Sequence, residues 1–217
     1  MAPFITFEGI EGSGKTTQIR LLAERLTNQN QQVVQTREPG GCPIADQIRG
    51  ILLHPDNASM DSRTELLLYA AARAQHIEQI IRPALKTGKI VLCDRFTDAT
   101  LAYQGDGRGL NRDLILQLNR LATGNCLPDL TLLFDMPVEI GLGRAKQRET
   151  ETQDSSEGRF EREKFDFHKR IREGYLALAK AEPQRIRIID AEKPAADVSL
   201  QVFSVIDEFL SQQEEAI

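Results

Sequence analysis

Eight residues near the start of the chain constrain its fold more than any others. Gly9-Ile10-Glu11-Gly12-Ser13-Gly14-Lys15-Thr16 spells G-x-x-x-x-G-K-[ST], the phosphate-binding P-loop. Its flanks are the ones the motif demands. Phe4-Ile5-Thr6-Phe7 is an apolar, β-rich run that reads as a buried strand. From Thr17 to Leu26 apolar residues recur at helical spacing. Strand, glycine loop and helix together turn consecutive backbone N–H groups toward phosphate oxygens, with the positive end of the helix dipole behind them. The pattern places Lys15 on β- and γ-phosphates and the Thr16 hydroxyl on Mg²⁺.

The rest of the chain repeats the alternation of strand and helix. Strands are expected at 3–8, 32–36, 89–93, 130–135 and 185–190. Helices are expected at 15–29, 44–53, 61–87, 97–103, 111–123, 137–149, 160–181 and 196–212. Ile90-Val91-Leu92-Cys93 and Leu130-Thr131-Leu132-Leu133-Phe134 are nearly unbroken apolar runs, the mark of strands covered on both faces. The expected fold is α/β: three layers, with a five-stranded parallel sheet flanked by helices and a mobile lid. Ligands then belong at the carboxyl ends of the strands. The 217 residues suit a single domain, 1–217, with the lid at about 143–162. A net charge of −5 gives no reason to expect nucleic-acid or membrane binding. Three cysteines without metal spacing fit free thiols in a reducing cytoplasm.

The lid expectation rests on residues 149–158, a polar stretch without periodicity. Arg144 and Arg148 precede it, and Arg159 and Arg162 follow it. A loop bracketed by arginines suits phosphoryl transfer, and an ordinary solvated surface loop has the same composition. Thr36-Arg37-Glu38-Pro39-Gly40-Gly41 follows the second strand and fixes a turn beside the P-loop. Arg37 there can clamp a second phosphate, or lie on the surface. Asp94-Arg95 follows the third strand. Asp94 reads as the acidic partner of Mg²⁺ or as a helix cap, and Arg95 as another phosphate clamp. Tyr69 and Arg73 share a helix face at i,i+4 and suit stacking and hydrogen bonding to a base, or the core. Tyr103 and Gln104 end a short helix where they can meet a small polar ligand.

Taken together, FEGIEGSGKTT, TREPGG, the AAR-A-Q helix, DRF…AYQG-GRG, PDLTLLFD and R-x-E-x-E-x-F-x-F…YL-LA resemble the thymidylate kinase family, in its order and spacing over nearly the whole chain. The resemblance implies a three-layer P-loop kinase fold and transfer of the γ-phosphoryl of ATP to dTMP, giving dTDP, with Mg²⁺ as cofactor, a homodimer, and a cytoplasmic protein. It implies that Gly9 through Thr17 hold ATP phosphates, with Arg144 and Arg148 from the lid side. Arg37 and Arg95 would hold the dTMP phosphate. Tyr69 would stack on thymine, Arg73 would meet the base edge, and Thr100 and Gln104 would lie nearby. Tyr103 would crowd the sugar 2′ position, and Glu11 would face the 3′-hydroxyl. Thr16 and Asp94 would serve the metal. Because Ile10, Glu11 and Ser13 put no basic residue in the P-loop, the resemblance assigns the transition-state arginine to the lid, Arg159 first.

The chain departs from the family pattern at Cys42, Ala99 and Gly158, which bears on the lid and the base pocket. Two other readings stand beside this one. Another nucleoside monophosphate kinase, for AMP, UMP or CMP, would share the P-loop. A nucleotide switch would share it as well, but the guanine-reading N/T-K-x-D sequence is absent.

Overall fold

The computed structural model describes residues 2–152, 159–160 and 163–215. Five parallel strands run in the order β2-β3-β1-β4-β5. They are β1 (Phe4–Glu8), β2 (Val33–Arg37), β3 (Ile90–Asp94), β4 (Leu130–Asp135) and β5 (Ile186–Asp190). All five lie where the apolar runs place them. The three central strands are buried almost throughout, whereas the edge strands β2 and β5 alternate in exposure. Helices cover both faces of the centre, so its strands read as continuous apolar runs.

Helix α1 (Lys15–Asn28) leaves the P-loop and packs against α9 (Ala195–Glu215). Helix α2 (Pro43–Leu53) packs on α3 (Ser62–His76), and α3 on α6 (Arg112–Thr123). Asp61 and Asn111 cap α3 and α6 by accepting from Arg63 N and Leu114 N. Between β4 and β5 run α7 (Val138–Thr152) and α8 (Phe165–Ala181). Among the described residues no helix is long and apolar enough to cross a membrane.

Two helices depart from simple periodicity. The expected helix 61–87 is a continuous rod in which Ile77–Ile81 widen into a π-helical turn before α4 (Arg82–Lys86). Pro83 stands at the start of α4; its ring and missing N–H forbid an ordinary bond to the preceding turn. The expected helix 97–103 begins as α5 (Thr97–Thr100) and continues as a second π-helical turn through Leu101–Gly107. Tyr103 and Gln104 are thus inside a widened turn rather than at a helix end. Arg170 of α8 donates to the Asp106 and Gly107 carbonyls and anchors that turn.

The expected lid is partly helix. Helix α7 includes residues 143–152, and α8 begins at Phe165 rather than 160. Residues 153–158 and Arg162 lie outside the described residues.

The register locates the working edge. Phe7 of β1 pairs with Asp94, the last residue of β3, and Arg37 of β2 pairs with the same aspartate. The P-loop, the Glu38 turn and the Asp94-Arg95 turn therefore leave the sheet side by side, where strand order diverges around β1.

Candidate active site

The P-loop wraps closely against the sheet and α7. Side chains at Gly9 and Gly12 would run into the Phe134 and Gly141 carbonyls, and both residues have positive φ. Only glycine meets both conditions. Lys15 is folded back over the loop. Its Nζ donates to Gly9 O (3.0 Å), Ile10 O (2.9 Å) and Ser13 Oγ (3.1 Å). Burial, with Arg95 nearby, brings its pKa down to about 8.

Beside it Thr16 Oγ1 donates to Asp94 Oδ2 at 3.1 Å. A hydroxyl and a carboxylate in contact are hard oxygen donors. They are too few for an all-protein cage, and no cluster of three or more His, Cys, Asp or Glu ligands occurs among the described residues. That fits Mg²⁺, which keeps water and takes its other oxygens from substrate phosphates.

The next turn carries Arg95 in the left-handed region, φ 66°. A non-glycine residue there costs free energy unless its surroundings hold it. Arg95 N donates to Phe7 O (2.9 Å), and Phe96 N donates to Glu8 Oε1 (2.7 Å). The guanidinium lies over the Tyr103 ring at 4.8 Å and donates to Tyr175 Oη (3.3 Å) and Glu11 Oε1 (3.2 Å). Tyr175 in turn donates to Glu8 Oε2 at 2.7 Å. Burial and the nearby Asp98 raise the Glu8 carboxyl to about 7.

Glu11 Oε1 also accepts from Tyr103 Oη at 2.6 Å. Burial works against the Glu11 charge, but the His168 ring, Arg95 and Tyr103 outweigh it and hold the carboxyl well below the usual range. His168 Nδ1 stands 3.4 Å from Glu11 Oε2 without forming a hydrogen bond.

Of these groups Glu11, Lys15, Thr16, Asp94, Arg95 and Tyr103 line one cavity of about 460 Å³. Its far wall is the surface expected to read a base: Tyr69, Arg73, Thr100, Tyr103 and Gln104. Arg73 is fully buried and held by four hydrogen bonds, to Glu38 Oε2, Asn119 Oδ1, Phe96 O and Thr100 Oγ1, at 2.7–3.0 Å. Glu38 is itself buttressed by His76, and His76 by Thr36. Such a network fixes a side chain in one place.

The structure does not bring every expected residue to the cavity. Gly9 and Ile10 stand behind it and give their carbonyls to Lys15, whereas Glu11 through Thr17 line it. Arg37 points to the surface and pairs with Asp46 at 3.3 Å. Arg49 lines the cavity instead, and its Nη1 donates to Pro39 O at 2.8 Å. Both arginines flank the same turn, but α2 carries Arg49 back over it. Arg144 also stays outside, bound to the Ala191 and Glu192 carbonyls of the loop before α9. The side chain of Arg148 lies outside the described residues.

Arg159, expected at the transition state, stands outside the cavity in this structure. It is buried beside Glu65, to which its Nη2 donates, and its Nη1 donates to Leu52 O at 3.1 Å. Its neighbour Phe160, not Arg159, meets the cavity. Phe160 and Glu38 were not legible as site residues. A phenylalanine beside an arginine and an acid inside a turn carry no distinctive signal.

The arrangement offers two cationic regions within one cavity. One is the P-loop with Lys15. The other is Arg95 with Arg49, backed by an aromatic and polar wall that suits a flat ring.

The chain is similar to known proteins along nearly its whole length. A family model described as thymidylate kinase matches residues 7–202. The thymidylate kinase of Syntrophotalea carbinolica is 60% identical, covering 94% of each chain. That of Geobacter sulfurreducens is 57% identical over 95% of this chain and 97% of its own. The crystal structure of thymidylate kinase from Ehrlichia chaffeensis superposes with a TM-score of 0.75 at 37% identity, covering 94% of this chain and 98% of that one.

Proposed function

This chain belongs to the thymidylate kinase family, and from that premise we propose that it transfers the γ-phosphoryl group of ATP to the 5′-phosphate of dTMP, giving dTDP for DNA precursor synthesis. The observation that carries the reading is the single cavity joining the P-loop to the wall of Tyr69, Arg73 and Gln104.

In this reading an oxygen of the dTMP phosphate attacks the γ-phosphorus, and the bond to ADP breaks. The chain supplies no covalent step; it aligns two anions and offsets the charge on the moving group. Lys15 leaves the Gly9 and Ile10 carbonyls for the β- and γ-phosphates, which restore its full positive charge. Arg95 and Arg49 hold the acceptor phosphate, and the Arg95 backbone is fixed before the ligand arrives. Glu11 and Tyr103 form the sugar wall, with a carboxylate for the 3′-hydroxyl. Tyr69 stacks on the base. Mg²⁺, held by Thr16 and Asp94, would neutralise charge on the ATP phosphates when bound.

The buried Arg159 contact shifts the transition-state role. Residue 148 lies one turn beyond Ala145 on α7, and Ala145 lines the cavity. We assign the role to Arg148. A homodimer is supported by the outward apolar residues Leu67 of α3 and Leu114 and Leu121 of α6. A cytoplasmic location is where this reaction would find its nucleotides.

The test is ADP release from ATP and Mg²⁺ with dTMP, dUMP, dCMP, AMP, UMP and CMP in turn. The reading expects dTMP to give the highest kcat/KM. A higher value for a ribonucleotide would replace it with another monophosphate kinase, and ATP hydrolysis indifferent to every acceptor would replace it with a nucleotide switch.

A further inference from the structure

Glu65 lies on α3, outside the cavity, and no role in the reaction falls to it above. It is fully buried. Its Oε1 accepts from Gln104 Nε2 at 2.8 Å and from Arg108 Nε at 3.2 Å. Its Oε2 accepts from Arg108 Nη2 at 3.1 Å and from Arg159 Nη2. An ionised carboxylate has about four lone-pair sites and accepts only. Here each oxygen takes two N–H groups, and two of the three donors are guanidinium ions. Arg108 is held in turn by Glu163 at 2.6 Å and by the Phe167 ring, 4.5 Å away.

That arrangement decides which way the Gln104 amide points. An acceptor-only partner must face the amide nitrogen; turning the amide over would set oxygen against oxygen. Gln104 also lines the cavity beside Arg73 and Thr100. Its Oε1 takes no hydrogen bond from another described residue and is not sealed from solvent. The cavity therefore meets a carbonyl oxygen rather than an NH₂ group.

We infer that Glu65 is the positioning residue that sets base specificity: it locks the Gln104 amide so that its oxygen faces the acceptor base and selects a ring that donates at N3. The inference rests on the monophosphate-kinase reading above. Thymine and uracil carry N3–H, whereas cytosine carries a lone pair there. Glu65 favours the first two without touching them. It does not distinguish thymine from uracil, which differ by a methyl group on another edge. Since Glu65 also holds Arg159, the same carboxylate ties the base wall to the residues entering α8.

The experiment compares kcat/KM for dTMP, dUMP and dCMP in the wild type, Glu65→Gln, Gln104→Leu and the double variant. In Glu65→Gln the Gln104 amide is free to turn over. The dTMP:dCMP ratio should fall on the order of tenfold, the worth of one oriented hydrogen bond, while the dTMP:dUMP ratio stays put. Gln104→Leu should cause a similar fall. The double variant should fall no further than Gln104→Leu, because Glu65 acts through Gln104. A wild-type dTMP:dCMP ratio in folded Glu65→Gln overturns the inference, as do losses that multiply in the double variant. If Glu65→Gln does not fold, an unchanged ratio in Gln104→Leu overturns it alone. A wild-type enzyme that prefers some other monophosphate sinks the underlying reading instead, which separates the two failures.

Discussion

The two ends of the cavity are held in different ways. At the acceptor end the side chains hold one another: Arg73 is fixed by Glu38, Asn119 and Thr100, and Gln104 by Glu65. At the donor end Lys15 rests mainly on the carbonyls of its own loop. A side-chain network is specific to one geometry and costs free energy to disturb. A lysine on backbone carbonyls gives up bonds that an anion replaces. On the proposed reading the acceptor end is therefore preorganised to discriminate, and the donor end is arranged to change when phosphate arrives. Losses at the donor end should appear in kcat, and losses at the acceptor end in KM and specificity.

The largest effect should break or make that division. Lys15→Met and Arg148→Ala should each lower kcat on the order of 10²–10³ with little change in the dTMP KM, because their contacts mature in the transition state. Arg159→Ala should behave differently. It leaves Glu65 short of a donor and Leu52 O without its partner, so its melting temperature should drop while kcat stays within a few-fold of wild type. Steady-state kinetics beside a thermal melt reads both. A collapse of kcat in Arg159→Ala at unchanged stability would return the transition-state role to that residue.

A second, smaller effect sharpens the acceptor end. Arg49 lines the cavity, whereas Arg37 pairs with Asp46 at the surface. Arg49→Ala should raise the dTMP KM on the order of tenfold or more, the usual worth of a hydrogen bond to a charged group. Arg37→Ala should stay near wild type, since exposed ion pairs contribute little. Reversed KM values in initial-rate assays would show that the two arginines exchange places when dTMP binds.

The same division explains what the sequence could tell. The donor end is one contiguous motif, so local spacing revealed it. The sheet was legible because strands buried on both faces must be apolar throughout. The acceptor end is assembled from strand ends and helix faces far apart in the chain. Tyr69 and Arg73 were legible as an i,i+4 pair. The choice between Arg37 and Arg49 was not, because both flank one turn and only the path of α2 selects. The Glu65–Arg159 bond spans 94 residues, and neither residue carries a local sign of the other. The π-helical turns add a residue to the helical period, so periodicity alone misplaced the segment holding Gln104.

Glu8 stands where the two ends meet, at the end of β1 and just before the P-loop, and it gives the most specific prediction. Its carboxyl is raised to about 7 by burial and Asp98, against about 4.3 in an unfolded chain. Between those values the native state binds the proton and the unfolded state does not. Stability from this group is therefore fully present below about pH 4.3 and is lost as pH rises through 7. Glutamine keeps an oxygen for Phe96 N and carries no charge. The stability of Glu8→Gln relative to wild type should then improve steadily from pH 4.5 to 8, by at most about 3 kcal/mol. Urea melts across that range measure it. If the carboxylate instead stays ionised to balance Arg95, the difference between variant and wild type will be flat with pH. Glu8 would then belong with the charge-holding acceptor network rather than with the neutral floor beneath the P-loop.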